Sequence, residues 1–107
     1  MAKVVLAGLP GSALIERGLE DLEDGRTSAE SLLVKVAAGR LEVLGVLRPG
    51  LVTGSAEAPL ALYAWLGESG ALDPYSTYNA LLRELSSFVR ALEQRVLSEQ
   101  RVGKRFA

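Results

Sequence analysis

The sequence predicts an all-α fold, a compact antiparallel bundle of about four helices with a long C-terminal helix and a short extended N-terminal arm. Two patterns support this prediction. Apolar residues recur at three- and four-residue steps, and helix-capping residues precede these runs. A length of 107 residues suits one folding unit. We therefore expect a single domain over residues 1–107, with an arm at 1–11 and a basic tail at 101–107.

The N-terminal region combines a short apolar run with the first predicted helix. Residues 4–9 are apolar and are followed by Pro10 and Gly11, which is typical of a brief strand or an extended arm. Ser12 can cap a helix, and Gly25 supplies a C-terminal stop. The pattern therefore predicts a first helix over residues 13–24.

The second predicted helix begins at a capping box formed by Thr27 and Glu30. Leu33, Leu41 and other apolar residues follow on one helical face, which predicts a helix from 28 to about 45. An alternative remains for residues 41–47, which alternate well enough to form a strand. Together with a strand at residues 3–9, that segment would give an α+β fold.

Two further helices are predicted beyond the loop at residues 48–54. The third begins at Ser55 and ends near Gly67, with proline tolerated in its first turn. Asp73 followed by proline starts the last helix, which extends to about residue 100 and would be roughly 40 Å long. The stripe with the most regular spacing in the chain lies on this helix: Tyr78, Leu82, Leu85, Val89, Leu92 and Val96.

The apolar content suggests association with another molecule. Hydrophobic residues make up 49% of the chain and the mean hydropathy is +0.21, more apolar surface than a small domain hides. The last helix is also longer than such a core needs. We therefore expect a non-enzymatic interaction module, with the stripe from Tyr78 to Val96 as the interface of a homodimer. A different protein partner is the alternative occupant.

The composition also limits the chemistry. The chain has no cysteine and no histidine, so it has no disulfide, no thiolate nucleophile and no imidazole base or ligand. We therefore predict no catalytic residue and no cofactor. The absence of cysteine fits a reducing compartment, and we expect a cytoplasmic protein. The longest apolar run in the middle of the chain, residues 58–67, is about half of a membrane span.

The segment from Lys3 to Ser12 resembles the strand and opening turn of a phosphate-binding loop. Such a loop ends in Gly-Lys-Ser or Gly-Lys-Thr, because the lysine contacts the phosphates and the hydroxyl holds magnesium. Here the following residues are Ala13, Leu14 and Ile15. The sequence therefore predicts an apolar arm and turn at this position.

Three acidic residues share one face of the first helix. Glu16, Glu20 and Glu23 are spaced at i, i+4 and i+7 and could together hold a divalent metal. The row resembles the carboxylate rows of all-helical nucleotide pyrophosphatases, and this resemblance implies metal-dependent nucleotide hydrolysis. Those enzymes take further carboxylates from a second helix, where this chain offers only Glu30 and Glu42. The ordinary alternative is a solvated acidic face.

The C-terminal tail offers a second alternative function. Arg101, Lys104 and Arg105 could contact phosphates, and Phe106 could stack on a base. The formal net charge of −1 provides no general attraction for nucleic acid, and cations at a helix C-terminus also complement the helix dipole.

Aromatic residues cluster around the turn between the third and fourth predicted helices. Tyr63, Trp65 and Tyr75 are the residues we expect to line a ligand groove if the protein has one. Core packing is the alternative role for these side chains.

Overall fold

The computed structural model describes residue 6 and residues 8–52, 55–70 and 72–105, the last six of these by their backbone alone. The all-α prediction is confirmed. The described residues form five α-helices, α1 (Ser12–Glu23), α2 (Ala29–Val36), α3 (Ala38–Val43), α4 (Ala58–Glu68) and α5 (Pro74–Arg105), with a 3₁₀ turn over Ser55–Glu57 before α4.

The α+β alternative is wrong where the structure tests it. Residues 41–43 belong to α3 and residues 44–47 form a turn, so no strand forms between residues 41 and 47. Most of the other predicted strand, residues 3–5 and 7, lies outside the described residues. Leu6 and Leu9 from the end of that arm are buried in the core.

The helix predicted over residues 28–45 is two helices separated at Ala37. Its backbone leaves the helical region at φ −107° and ψ 20°, and its N–H donates to the carbonyl of Val34, three residues back. After α3, Gly45 adopts φ +82°, a conformation that glycine accommodates readily. The N–H groups of Val46 and Leu47 then both donate to the carbonyl of Leu41, so the chain reverses and buries Leu47.

The cap of α2 is shifted by one residue from the prediction. Ser28 is the N-cap, and its hydroxyl accepts the N–H of Ser31 at 3.1 Å. The Ser31 hydroxyl accepts the N–H of Ser28 at 2.8 Å, which completes a reciprocal capping box. Asp21 at the end of α1 accepts the Ser28 hydroxyl proton at 2.6 Å, so the same serine also ties α2 to α1.

The hydrophobic core lies where α5 crosses α2 and α4. Its fully buried side chains include Phe88 and Leu92 of α5, Leu33 of α2, Leu41 of α3 and Leu62 of α4. These side chains bring α2, α3, α4 and α5 together in one hydrophobic core. Helix α1 contributes the buried side chain of Ile15 to the same core.

Helix α5 is longer than the core that it covers. Its 32 residues span about 48 Å at the standard rise of 1.5 Å per residue. This length accounts for most of the 53 Å extent of the molecule, against 26 and 21 Å in the other directions. Leu92 is the last buried residue of α5 among those described, so the helix continues past the core. No helix in the described part of the chain combines the length and the apolar character needed to cross a membrane.

Candidate interaction surface

Helix α4 is apolar on every side. Between Glu57 and Glu68 it contains only alanine, proline, leucine, tyrosine, tryptophan and glycine. A helix on the surface of a globular protein ordinarily has a polar outer side, and one that is apolar all round is ordinarily covered. In α4, Ala58, Leu62 and Leu66 are buried against the rest of the chain. The opposite side of α4 is therefore apolar without a covering element in the described structure.

This outer side is exposed to solvent. The exposed fraction is 80% for Leu60 and 44% for Tyr63, and Ala64 and Gly67 are exposed as well. These four residues lie at i, i+3, i+4 and i+7, which places them on one face of the helix. A Cβ atom added to Gly67 would meet no other atom within 4 Å. This face of α4 is therefore exposed to solvent along two helical turns.

The exposed apolar area continues into the turn that leads to α5. Leu72 is fully exposed and Tyr75 is 65% exposed. The rings of Tyr63 and Tyr78 pack edge to face, with their centroids 5.7 Å apart and their planes at 83°. Because Tyr75 precedes Tyr78 by about one helical turn, the aromatic residues link α4 to the start of α5. We call this set the α4 surface: Leu60, Tyr63, Ala64, Gly67, Leu72 and Tyr75.

The charged residues in the segment of the chain that carries the α4 surface are all acidic. Residues 49–82 contain no lysine and no arginine, and their only charged residues are Glu57, Glu68 and Asp73. Glu57 and Glu68 are exposed, and the described residues include no ion-pair partner for them. Asp73 caps α5 by accepting the N–H and the hydroxyl proton of Ser76 at 3.1 and 2.7 Å. These hydrogen bonds hold the pKa of Asp73 below its ordinary value.

The stripe predicted as a dimer interface packs largely against the protein's own hydrophobic core. Leu85 and Leu92 are buried, with exposed fractions of 6% and 0%. Tyr78, Leu82, Val89 and Val96 are partly buried and pack against the same core. The large apolar side chains that are exposed among the described residues lie outside this stripe: Val43, Leu60, Tyr63, Leu72, Tyr75 and Leu97.

The predicted groove residues lie on or beside the α4 surface. Tyr63 and Tyr75 are exposed, whereas Trp65 is partly buried against the core. A cavity of about 330 Å³ is found elsewhere, between the N-terminal turn and α5, and it is lined by Pro10, Gly11, Ala80, Arg83, Glu84 and Ser87. Pro10 and Gly11 come from the segment that resembles a phosphate-binding loop, and in the structure they form the turn before α1.

The acidic row of α1 faces solvent. Glu16, Glu20 and Glu23 are all exposed, and Glu23 contacts Arg48 at 3.5 Å. Within the described residues, no group of three or more acidic side chains is arranged to hold a metal ion. Glu30 of α2, the nearest predicted second-helix carboxylate, instead lies 3.9 Å from Arg17. The row is therefore a solvated helix face.

The basic tail continues α5 as far as Arg105. The backbone of residues 101–105 is helical, and the side chains of these residues, like residues 106 and 107, lie outside the description. The nucleic-acid hypothesis for Arg101, Lys104 and Arg105 therefore remains a prediction.

No protein-family model, curated protein or solved structure shows significant similarity to the chain. Sequence reasoning identified Tyr63 and Tyr75 but missed Leu60, Ala64, Gly67 and Leu72. For Leu60, Ala64 and Gly67 the signal that could have found them is the absence of any charged residue from Ala58 to Gly67, which leaves this part of α4 without a polar side.

Proposed function

We propose that the chain is a small non-enzymatic protein–protein interaction module that self-associates through the α4 surface. The proposal rests on the outer side of α4, which has no charged residue over about three turns. The exposed fraction of Leu60 on this side is 80%. Contiguous exposed apolar residues with a polar rim are typical of interaction sites on proteins of this size. The exposed tyrosines strengthen the case, because tyrosine is enriched in protein interfaces.

The free energy gained by burying the α4 surface is similar in size to the free-energy cost of association, which fits a modest binding affinity. Full burial of a large apolar side chain contributes about 1.5–3 kcal/mol, and the α4 surface offers four of them, Leu60, Tyr63, Leu72 and Tyr75. Association costs about 4–15 kcal/mol in lost translational and rotational freedom. The two quantities are similar, so the α4 surface supplies the centre of an interface and further contacts must supply the remainder.

The alternative functions have less support. Metal-dependent nucleotide hydrolysis would need a carboxylate cluster, and the acidic row of α1 is a solvated face. Nucleic-acid binding would depend on the basic tail alone, in a chain with a net charge of −1. Neither hypothesis accounts for the exposed apolar side of α4.

The test compares two equally exposed apolar residues. Leu60 on α4 and Val43 at the end of α3 are both 80% exposed, so a glutamate at either position leaves the core intact. The mass of each variant in solution is measured by light scattering behind a sizing column, and folding is checked by circular dichroism. We expect the wild-type chain and Val43→Glu to form dimers and Leu60→Glu to be a folded monomer.

Two results would contradict the proposal. A wild-type chain that stays monomeric at high concentration would show that the α4 surface does not self-associate. A Leu60→Glu variant that remains a dimer would show that the dimer forms through another surface, because a buried unpaired carboxylate is strongly unfavourable in an apolar contact.

A further inference from the structure

We draw no further inference here: the strongest candidate, the cavity of about 330 Å³ between the turn before α1 and the first half of α5, carries no proposal because its polar lining residues, Arg83, Glu84 and Ser87, are all exposed and nothing in the described part of the chain, apart from the N-terminus of α1 beside it, points to a ligand.

Discussion

Gly18 of α1 and Glu30 of α2 are in direct backbone contact, because glycine leaves no side chain between the two helices. A Cβ atom at Gly18 would overlap the carbonyl oxygen of Glu30 and would lie 2.5 Å from Cγ2 of Val34. Gly18 is buried in the middle of α1, where glycine is otherwise an unfavourable helix residue. The close approach of α1 and α2 is therefore the reason that glycine fits at this position.

We predict that Gly18→Ala destabilises the fold by about 1–3 kcal/mol, because the helices must separate to admit the methyl group. Gly39 in α3 is the control, since a Cβ atom there would meet nothing within 4 Å. Gly39→Ala should leave stability unchanged or raise it by up to about 1 kcal/mol through helix propensity. Urea unfolding of both variants measures the difference, and equal midpoints would contradict the packing of α1 on α2.

Leu92 and Leu97 lie on the same helix and have opposite surroundings. Leu92 is fully buried and Leu97 is 54% exposed. Leu92→Ala should lower the free energy of unfolding by about 2–5 kcal/mol, because it removes core contacts and leaves a cavity. Leu97→Ala should change it by no more than about 0.5 kcal/mol. Urea unfolding at a concentration at which the chain is monomeric separates these effects from association. Similar losses at both positions would show that Leu97 also packs into the core.

The ion pair between Arg40 of α3 and Glu93 of α5, at 2.6 Å, links residues 53 positions apart. The hydrogen bond from Arg40 lowers the pKa of Glu93, and the same bond raises the pKa of Arg40. We expect Glu93→Gln to lower the Tm slightly in the wild-type chain and to have a smaller effect in the Arg40→Gln background. A double-mutant cycle at low and high salt measures this coupling. Additive effects at both salt concentrations would show that the pair contributes nothing to stability.

Stability should decrease in acid because three carboxyl groups are held below their ordinary pKa. The groups are Asp21, hydrogen-bonded by Ser28, Asp73, hydrogen-bonded by Ser76, and Glu93, hydrogen-bonded by Arg40. A lowered pKa in the folded state means that the unfolded chain binds more protons in acid. Their contribution is therefore complete above the ordinary values of about 4 to 4.5 and is lost as the pH falls through the lower folded values.

The variant that checks this pH dependence is Asp73→Asn, which can still cap α5 but has no charge to lose. We expect its free energy of unfolding to fall less steeply than that of the wild-type chain between neutral pH and pH values below about 4. The urea midpoint, measured across that range, gives both curves. Parallel curves would show that the Ser76 hydrogen bonds do not lower the pKa of Asp73.

Local sequence signals located most helix ends. Asp73 before Pro74 marks the start of α5, and Gly25 follows the end of α1. The capping box was predicted at Thr27 and Glu30 but is formed by Ser28 and Ser31. Both pairs have the same spacing, and the difference is set by Asp21 of α1, which accepts the Ser28 hydroxyl proton. A hydrogen bond to another helix thus favours Ser28 over Thr27 as the N-cap, although the local sequence leaves the two cap positions nearly equivalent.

The division of residues 28–45 at Ala37 is another feature that periodicity could not reveal. The apolar spacing continues from α2 into α3, because both helices contribute to the same core through Leu33 and Leu41. Alanine has the highest helix propensity, so Ala37 itself predicts no break, and Gly39 two residues later is the local sign of a weak point in the helix. The turn lets α3 end near α5, where Arg40 reaches Glu93.

The sequence by itself determined that the chain is all-α, where its helices lie within a few residues, and which side of α5 is apolar. Only the tertiary structure decided what covers each apolar side. The stripe containing Leu85 and Leu92 packs into the chain's own core, while Leu60 on α4 faces solvent. The physical reason is that hydrophobic periodicity specifies the face of a helix that must leave water, and the burial of that face is equally favourable against the same chain or against a partner. Which of the two occurs depends on how the helices are arranged around one another.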